Sequence, residues 1–392
     1  MTIRYLHVIH SIDPRAGGTR EGVKQLTAVA RKLNHTAELL ITELPDPAWV
    51  AEYSCPVHYA GPSYLKYGYA PRLTGWLKNN AHRYDAVVVN GLWQYPGLAT
   101  WRALRGTATP YFVFTHGMLD PWFNREYPLK RLKKLLYWPW AEYRVLRDAR
   151  AVLFTSEEEK RLARQSFGRY RANERVVSFG VPEPPGDSVE QREAFLRAFP
   201  QLRGQRFVLF LGRIHPKKGC DLLIEALAAV RAMDPALLLV MAGPDQVGMQ
   251  ASLSQRAERL GITAAVIWAG MLRGEVKTGA MRAAEAFVLP SHQENFGLAV
   301  AESLACGTPV LISNKVNIWR EVVQDGAGLA ADDTLQGTIE LLQRWIKLSP
   351  DARHLMARKA IDTFSARFRV ESAAQSLIEA IGWPADAAAR NA

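Results

Sequence analysis

Short runs of β-branched and aromatic residues alternate with segments of helical periodicity along most of the chain. In the first half, these runs predict strands at Ile3–Ile9, Glu38–Thr42, Ala86–Val89, Tyr111–Thr115 and Ala151–Phe154. A segment long enough for a helix follows each of them. This alternation is typical of βαβ units, which build a parallel sheet with helices on its faces.

Three prolines and two glycines interrupt the pattern at Phe179–Asp187 and disfavour regular structure there. The alternation then starts again. It predicts strands at Phe207–Leu211, Ala236–Met241, Val266–Ala269, Ala286–Leu289 and Pro309–Ile312. From about Leu335 onward only helical periodicity remains. Because 392 residues suffice for two domains of ordinary size, the restart indicates a second α/β domain.

The predicted fold is therefore α/β, with two Rossmann-like domains that face each other across a cleft. We expect an N-terminal domain at residues 1–180, a linker with a first helix at 181–205, a C-terminal domain at 206–368, and a final helix and tail at 369–392. The final helix is expected to cross back to the first domain. Ligands of open parallel sheets bind at the carboxyl ends of the strands, so the functional site is expected there.

The charge of the chain is unevenly distributed. Lys and Arg number 49 against 38 Asp and Glu, which gives a net charge of +11. Residues 101–180 alone hold 16 basic and 8 acidic residues. Such a concentration suggests a polyanionic partner, whether nucleic acid, anionic lipid or a phosphorylated substrate.

Nothing in the sequence indicates secretion or a membrane span. Cys55, Cys220 and Cys306 match neither a disulfide framework nor a zinc site, which favours a reducing compartment. The polar N-terminus is unlike a signal peptide, and no stretch approaches the ~20 apolar residues of a membrane span. We expect a cytoplasmic protein, or one bound peripherally to a membrane from the cytosolic side.

The sharpest motif of the second half is a basic turn after a predicted strand. Gly212 ends the strand, Arg213 and Lys218 follow five residues apart, and Gly219 precedes a helix. Arg offers a planar fork and Lys a point charge, so the two could bind a diphosphate at the sheet edge. A solvated basic turn is the alternative.

A second motif follows the strand that ends at Leu289. Glu294 precedes a turn at Gly297, and Glu302 lies inside the helix that follows. Gly297 permits close backbone approach to a ligand, and the free N–H groups of the helix start can bind phosphate oxygens. The Glu302 carboxylate could bind the paired hydroxyls of a ribose. The alternatives are an exposed helix carboxylate for Glu302 and a first-turn charge for Glu294.

The first half carries weaker candidates at its strand ends. Gly17 and Gly18 lie at the first strand-to-helix turn, where backbone can approach an anion. His116 follows a buried strand, a position at which ligands of such sheets lie. Asn90 and Trp93 follow the preceding strand and are expected to line an acceptor pocket. Asp120 is a further candidate, with the alternative that it caps the next helix.

A basic and aromatic segment lies between the two strand ends and the next strand. It spans residues 125–147, and four of its cations, Lys130, Arg131, Lys133 and Lys134, fall within five residues, with Trp138 and Trp140 close behind. This composition predicts an interfacial element on an anionic membrane surface. The alternative is a solvated helix whose Trp side chains pack inward. Pro139 disfavours one uninterrupted helix.

Taken together, the two motifs of the second half resemble glycosyltransferase family 4, the retaining enzymes of GT-B fold. The resemblance rests on the E-x7-E spacing of Glu294 and Glu302, the Gly-Arg-x4-Lys-Gly turn, and the closing Gly-Thr-Pro-Val at 307–310. It implies that Glu294 contacts the sugar, that Glu302 contacts the ribose, and that Arg213 and Lys218 bind the diphosphate. Asn295 stands where many members of the family have Gly.

The resemblance also implies roles for other residues. The catalytic group would comprise Glu294, His116, Arg213 and Lys218. The remaining donor-binding residues would be Gly17, Gly18, Gly270, Met271, Leu272, Asn295, Phe296, Gly297, Leu298 and Glu302. His116 would contact a sugar, and the turn at 269–272 would hold the base.

The implied activity is retaining transfer of a hexosyl unit from a UDP- or GDP-sugar to a saccharide or lipid-linked acceptor. Bacterial polysaccharide or glycolipid biosynthesis, at the cytosolic face of the inner membrane, is the expected setting. The chain contains no Asp-x-Asp motif, so we expect no metal and no cofactor besides the donor substrate. The developing charge on the diphosphate would be stabilised by Arg213, Lys218 and backbone N–H groups.

Three other interpretations remain open. A sugar-nucleotide 2-epimerase would share the fold and need no acceptor. A nicotinamide-dependent oxidoreductase is suggested by the G-x-G-x-x-A match at 326–331, which does not follow a first strand. A nucleic-acid binder would explain the charge, but no recognised module is present, and we expect no nucleic-acid partner.

Overall fold

Two compact units make up the computed structural model, which describes residues 2–14 and 17–382. Unit 1 holds the chain up to Val181 together with the segment from Arg369 onward, and unit 2 holds Pro182–Phe368. Arg15 and Ala16 of the predicted Gly-rich turn lie outside the described residues, as do residues 383–392 of the predicted tail.

The sheet of unit 1 has seven parallel strands. They are β1 (Arg4–Ile9), β2 (Thr36–Ile41), β3 (Val57–Tyr59), β4 (Ala86–Asn90), β5 (Tyr111–Phe114), β6 (Ala151–Phe154) and β7 (Glu174–Val176). Their order is β3-β2-β1-β4-β5-β6-β7, so the direction of winding reverses between β1 and β4. The central strands are mostly apolar and buried, with His7 in β1 and Asn90 in β4 as polar exceptions, as expected of a parallel sheet covered by helices on both faces.

Nine helices of unit 1 fall within its described residues. They are α1 (Gly18–Ala30), α2 (Pro47–Val50), α3 (Pro71–Asn80), α4 (Tyr95–Leu104), α5 (Pro121–Glu126), α6 (Pro128–Tyr137), α7 (Glu142–Arg147), α8 (Glu157–Ala163) and, from the C-terminal segment, α17 (Val370–Ile381). Helix α17 packs against α1, so the last helix returns to the first unit as expected. Pro139 follows the end of α6, which confirms the predicted interruption.

The sheet of unit 2 has six parallel strands. They are β8 (Phe207–Leu211), β9 (Leu238–Ala242), β10 (Val266–Gly270), β11 (Ala286–Leu289), β12 (Val310–Ser313) and β13 (Gly328–Ala331). Their order is β10-β9-β8-β11-β12-β13, with the reversal between β8 and β11. Both sheets are thus doubly wound. Each has one switch point, where the connections from two neighbouring strands run in opposite directions across the sheet.

The helices of unit 2 surround this sheet. They are α9 (Ser188–Ala198), α10 (Cys220–Val230), α11 (Met249–Arg259), α12 (Gly274–Ala283), α13 (Leu298–Ala305), α14 (Trp319–Asp325), α15 (Leu335–Lys347) and α16 (Pro350–Thr363). Short 3-10 turns lie at Arg31–Leu33, Ala81–Arg83, Pro200–Leu202, Pro216–Lys218 and Thr263–Ala265, and a π-helical turn lies at Phe364–Phe368. No helix in the described part of the chain has the length and apolar character needed to cross a bilayer.

All ten predicted strands are present, with ends shifted by no more than two residues. The two-residue shifts are at β2, which begins at Thr36 and not at Glu38, and at β9, which begins at Leu238 and not at Ala236 because Asp234–Leu237 form a turn. Three strands were not predicted: β3, β7 and β13. The Gly326–Ala331 motif runs into β13, and Gly326 ends α14. A dinucleotide-binding turn would open a helix, so this geometry contradicts the oxidoreductase interpretation.

The chain leaves and re-enters unit 1 at adjacent residues. Val181 and Arg369 form a parallel bridge, and Val370 N donates to Val181 O at 3.1 Å. Gly180 lies against the same backbone, where a Cβ atom would come within 2.4 Å of Arg369 O. Only glycine fits such a close approach. Unit 2 is therefore an insertion whose two ends meet unit 1 side by side.

Candidate functional site

The basic turn of unit 2 follows β8, at the switch point of its sheet. Residues Pro216–Lys218 form a 3-10 turn, and His215 Nδ1 accepts from Lys217 N at 3.1 Å to cap it. Gly219 then adopts a φ of 66°, and a Cβ atom there would lie 2.3 Å from Pro290 O. Only glycine permits both the left-handed φ and this approach, which brings the turn against the segment after β11.

This contact places the two sequence motifs together. Lys218 Nζ forms a short ion pair with Glu294, and both side chains are largely buried. Burial raises the pKa of Glu294, but the positive charges of Lys218, Lys217 and Arg213 outweigh it, so the pKa lies below its usual range. Glu294 is therefore a carboxylate held among three cations.

Arg213 occupies a more open position at the end of β8. Its Nη1 donates to Gln246 Oε1 at 3.2 Å, and the residue is exposed to solvent. The guanidinium therefore keeps donors for a further acceptor. Arg213, Lys217 and Lys218 together surround one carboxylate with positive charge, as an anion-binding turn requires.

Backbone contacts anchor the segment around Glu294. Glu294 N donates to Lys315 O at 2.9 Å, and Asn317 N donates to Glu294 O at 3.0 Å. Gly297 (φ 78°) precedes α13, which begins at Leu298. The predicted donor-binding residues 294–298 thus lie at the start of this helix, with Phe296 buried against Phe368. Asn295 lies near Asn317, with their side chains 3.5 Å apart.

Glu302 lies farther along α13 and has a partner that the sequence did not suggest. Lys277 Nζ of α12 lies 2.7 Å from a carboxylate oxygen of Glu302. Both side chains are about a quarter to a third exposed, so the pair remains open to solvent. Helix α12 follows the predicted base turn, where Gly270 (φ 64°) ends β10 and Met271 is exposed. Leu272 beside it is half-buried.

The first predicted turn of unit 1 precedes α1. Gly17 has a φ of 78° at the N-cap of this helix, and Gly18 is its first residue. Gly17 makes no side-chain hydrogen bond to this helix start, and the N–H groups of a first helical turn are the donors that typically bind anions.

His116, Asn90 and His7 form a hydrogen-bonded chain at the switch point of unit 1. Asn90 ends β4, His116 follows β5, and His7 lies in β1. Asn90 Nδ2 lies 3.0 Å from His7 Nδ1, and Asn90 Oδ1 lies 3.1 Å from His116 Nε2. Burial lowers the pKa of each histidine to about 3, so both are neutral at physiological pH. Asn90 itself is buried, so its side chain does not line an open acceptor pocket as predicted.

Trp93 and Asp120 also take structural positions. Trp93 is half-buried with a φ of 67°, and its indole donates to Met118 O at 3.1 Å. Its backbone N donates to the buried Glu142 Oε1 at 2.5 Å. The Asp120 carboxylate accepts from Trp122 N at 2.8 Å and caps α5, which is the alternative considered for it.

The basic and aromatic segment contains the amphipathic helix α6. Lys130, Arg131 and Lys133 are exposed, as are the apolar side chains of Leu129, Leu132, Leu135, Leu136 and Trp140. These residues define the α6 surface. It joins apolar and basic groups on one solvent-facing element, as an interfacial helix does.

Two residues predicted for this surface point elsewhere. Trp138 is only 6% exposed, stacks on Phe167 and donates its indole N–H to Gly168 O at 3.1 Å. Lys134 turns back so that its Nζ lies 4.5 Å above the Trp93 ring. The membrane prediction is therefore wrong for Trp138, because its ring fills the core of unit 1, and Lys134 is directed inward.

Burial shifts the pKa values of Lys134 on α6 and of Glu142 on α7. It lowers the pKa of Lys134 to about 8. Burial raises the pKa of Glu142 to about 7, although the hydrogen bond from Trp93 N and the charge of Lys134 act to lower it. Glu142, Lys277 and His7 are functional candidates that sequence reasoning missed. Each acts through a partner distant in sequence, which no local motif reveals.

Metal-ligating side chains do not cluster in the described part of the chain. Within 2–14 and 17–382, no group of three or more His, Cys, Asp or Glu side chains is arranged to hold a metal ion. The three cysteines are free thiols, with Cys220 and Cys306 buried.

Comparisons with known proteins agree with this architecture. The family "Glycosyl transferases group 1" matches residues 191–363, and the "Glycosyl transferase 4-like domain" matches residues 17–180. A D-inositol 3-phosphate glycosyltransferase of Geodermatophilus obscurus is 34% identical over 197 residues, which are 47% of this chain and 42% of that protein. The aligned region thus spans less than half of this relative.

Two solved structures share the fold over nearly the whole chain. HepE of Anabaena, in complex with UDP and glucose, has a TM-score of 0.76 at 20% identity and aligns with 97% of this chain and 100% of its own. Sucrose-phosphate synthase of Thermosynechococcus elongatus has a TM-score of 0.73 at 20% identity, with coverages of 96% and 98%. With both families matched and the GT-B architecture in place, the chain belongs to the group 1, family 4-type glycosyltransferases.

Proposed function

We propose that the protein transfers a hexosyl unit, with retention and without a metal ion, from a UDP- or GDP-sugar to a saccharide or lipid-linked acceptor. The observation that carries the proposal is the Lys218–Glu294 pair at the switch point of unit 2, flanked by Lys217 and Arg213. Anionic ligands of doubly wound sheets bind at this position. Complexes of HepE with UDP and UDP-glucose support a nucleotide-sugar donor.

In this proposal, different residues bind the diphosphate, the sugar and the ribose of the donor. Arg213 and Lys218 bind the diphosphate, together with N–H groups at the start of α13. Glu294 accepts from sugar hydroxyls, and Glu302 accepts from the ribose. Because Lys218 contacts Glu294 directly, this lysine orients the carboxylate that binds the sugar and also neutralises charge on the phosphate.

In the proposed reaction, the bond between the anomeric carbon and the β-phosphate oxygen breaks, and its electron pair stays on the phosphate. The acceptor oxygen bonds to the same face of the anomeric carbon, and its proton passes to the leaving phosphate. The cations of the turn stabilise the charge that develops on this phosphate. His116 remains neutral at physiological pH, because burial lowers its pKa to about 3, so it acts as a hydrogen-bonding group and not as an acid.

A thermal-shift screen of UDP, GDP, ADP and their hexose derivatives, in the presence of EDTA, tests the donor site. A ligand at 100 times its Kd stabilises a protein by about 2.7 kcal/mol, which raises the melting temperature by a few degrees. We expect one nucleotide to stabilise the protein. Lys218→Ala and Glu302→Ala should abolish the shift, while Lys347→Ala, an exposed cation at the end of α15, should keep it.

Product analysis separates transfer from the epimerase alternative. A glycosyltransferase releases the nucleoside diphosphate in proportion to acceptor added, whereas a 2-epimerase acts on the nucleotide sugar alone. Acceptor-independent formation of an epimer would replace the proposal. Stabilisation by a nicotinamide cofactor alone, or by duplex DNA alone, would overturn it.

We further propose that the α6 surface binds anionic lipid, which would place the enzyme beside a lipid-linked acceptor at the cytosolic face of a membrane. Four leucines and Trp140 are exposed next to Lys130, Arg131 and Lys133. Each cation near an anionic surface contributes about 1 kcal/mol of binding, and the contribution falls with salt.

Sedimentation with phosphatidylglycerol-containing vesicles tests this surface. The double variant Lys130→Glu/Lys133→Glu should bind at least tenfold more weakly than the wild type. Lys32→Glu/Lys78→Glu changes two exposed lysines of unit 1 outside the α6 surface and is the matched control. Equal loss in both pairs, or stronger binding to DNA than to vesicles, would contradict a lipid-binding role.

A further inference from the structure

The amide of Asn90 has only one orientation that satisfies its neighbours. Its Nδ2 lies 3.1 Å from Val88 O and 3.4 Å from Val8 O, and both of these carbonyls can only accept. The reversed amide would place Oδ1 against two carbonyl oxygens and lose these bonds. Nδ2 therefore faces the carbonyls and His7 Nδ1, and Oδ1 faces His116.

This orientation determines which nitrogen of His116 carries the proton. Asn90 Oδ1 is an acceptor, so His116 Nε2, at 3.1 Å, must be the donor. A neutral imidazole has one N–H, which leaves Nδ1 as a lone-pair acceptor. His116 Nδ1 is buried and has no hydrogen-bond partner among residues 2–14 and 17–382, which the structure describes. An unpaired buried acceptor is costly, and a ligand hydroxyl would satisfy it.

The surroundings hold the imidazole ring in place as well. Phe114 stacks on it with a centroid distance of 5.1 Å and an interplanar angle of 20°. Phe179 contacts it at 5.3 Å. His116 itself has a φ of 50°, a left-handed conformation that forms part of the turn after β5. Position, plane and tautomer of the ring are thus each set by a different neighbour.

We propose that Asn90 is a positioning residue: it holds His116 as the Nε2–H tautomer, so that His116 Nδ1 accepts a hydrogen bond from a hydroxyl of the sugar substrate. Asn90 acts through His116 and does not itself contact the sugar, which replaces its predicted role in an acceptor pocket. His7 fixes the other end of the amide and so supports the same orientation. The assignment of the sugar ligand rests on the proposed function, whereas the tautomer does not.

Nitrogen–proton correlation NMR of protein labelled with 15N in its histidines tests the tautomer. Of the nine histidines, the His116 signals are those lost in His116→Gln. We expect the Nε2–H pattern in the wild type and a shift toward the Nδ1–H form in Asn90→Leu, which keeps the volume but cannot accept. If Asn90→Leu does not fold, Asn90→Asp takes its place in the test. This variant retains an acceptor oxygen and should keep the Nε2–H pattern.

An Nδ1–H pattern in the wild type, or a pattern unchanged in Asn90→Leu, would overturn the assignment. This readout requires no substrate, so it stands even if the protein transfers no sugar. Absence of nucleotide binding and transfer in the wild type would instead defeat the proposed function.

Kinetics test the consequence for the reaction, with the UDP- or GDP-hexose that stabilises the wild type. Asn90→Leu should lower kcat/KM at least tenfold, because the wrong tautomer presents a donor where an acceptor is required. Its affinity for the free nucleoside diphosphate should be unchanged, since neither Asn90 nor His116 is among the groups proposed to bind the nucleotide. Asn90→Asp should recover part of the loss. Transfer at the wild-type rate in Asn90→Leu would show that the tautomer plays no part in catalysis.

Discussion

The two switch points of the molecule occupy equivalent places in their sheets but differ in electrostatics. In unit 2, three cations hold Glu294 in its charged form and lower its pKa. In unit 1, burial keeps His7 and His116 neutral. Burial also raises the pKa of Glu142 to about 7, and this carboxyl accepts from Trp93 N, three residues after Asn90. One edge is organised around full charges, and the other around neutral hydrogen-bonding groups.

This difference indicates what each edge can recognise. A cluster of cations binds phosphate strongly, because the ligand carries full negative charges. Neutral imidazole and amide groups in a buried setting instead distinguish the donor and acceptor pattern of hydroxyls. A topology that repeats within one chain has thus been given two kinds of chemistry by a few residues at the strand ends.

Lys218→Ala gives the strongest test of the charged edge. Removal of a group that stabilises transition-state charge typically lowers kcat by about 10²- to 10³-fold, and here it also leaves Glu294 buried without its direct partner. We expect a loss of this size in the rate of transfer, together with loss of nucleotide binding. Steady-state kinetics and thermal shift measure the two effects.

Lys347→Ala is the control for a general loss of positive charge. A decrease of similar size in both variants would mean that net charge, and not the turn after β8, governs donor binding. In that case the contrast between the two edges would lose its functional meaning.

Glu142→Gln tests the neutral edge through stability. The pKa of Glu142 is about 7 in the folded protein, against an ordinary value of 4.5 for a solvated glutamate, so the folded state binds more protons between these pH values. The wild type therefore loses stability as pH rises through this window. Gln retains the acceptor for Trp93 N. We expect the variant to be more stable by about 2–3 kcal/mol at pH 8 and no more stable near pH 5.

Urea unfolding at both pH values measures this difference. A constant stability gain across the range would show that packing, and not ionisation, distinguishes the two side chains. A variant less stable than the wild type at pH 8 would show that Glu142 is held as a carboxylate.

His7→Asn should show the smallest effect, with the opposite dependence on pH. The pKa of His7 is about 3 in the folded protein, against an ordinary value of 6.5 for a solvated histidine, so the unfolded state binds more protons between these values. Stability from this group is complete above pH 6.5 and is lost as pH falls through the window. Asn keeps an acceptor for Asn90. The stability difference between wild type and variant should shrink by about 1–2 kcal/mol between pH 7.5 and pH 5.

Circular dichroism during urea unfolding gives the two free energies. A difference that does not change with pH would mean that the pKa of His7 is the same in the folded and unfolded protein. Water would then reach the His7 imidazole in the folded state.

Much of the fold follows from local pattern, since continuous runs of β-branched, aromatic and other apolar residues predict buried strands. The strand Ala86–Asn90 and the strand Phe207–Leu211 are of this kind. The unpredicted strands β3, β7 and β13 are short and lie at or near the sheet edges, where residues alternate less clearly and pairing supplies the order.

The site divides in the same way. Lys218 and Glu294 each belong to a recognisable turn, so their neighbourhood could be predicted, although they are 76 residues apart. The pairing of Glu302 with Lys277 and of Asn90 with His7 depends on how helices and strands pack, which no spacing encodes. Trp138 shows the reverse case, because a Trp beside lysines is typical of an interface and also of a core edge.

The bridge between Val181 and Arg369 makes the chain modular. Residues 182–368 begin and end next to two paired residues of unit 1, Val181 and Arg369. The whole of unit 2 can therefore be deleted or exchanged through these two adjacent chain junctions. Every strand of the unit 1 sheet, and helix α17 with it, then comes from one parent. A truncation after Phe368 would instead remove α17 and expose the face of α1 against which it packs. The deletion would therefore destabilise unit 1, although it begins next to unit 2 in the sequence. Recombination at these junctions would change the charged edge while leaving the neutral edge unaltered.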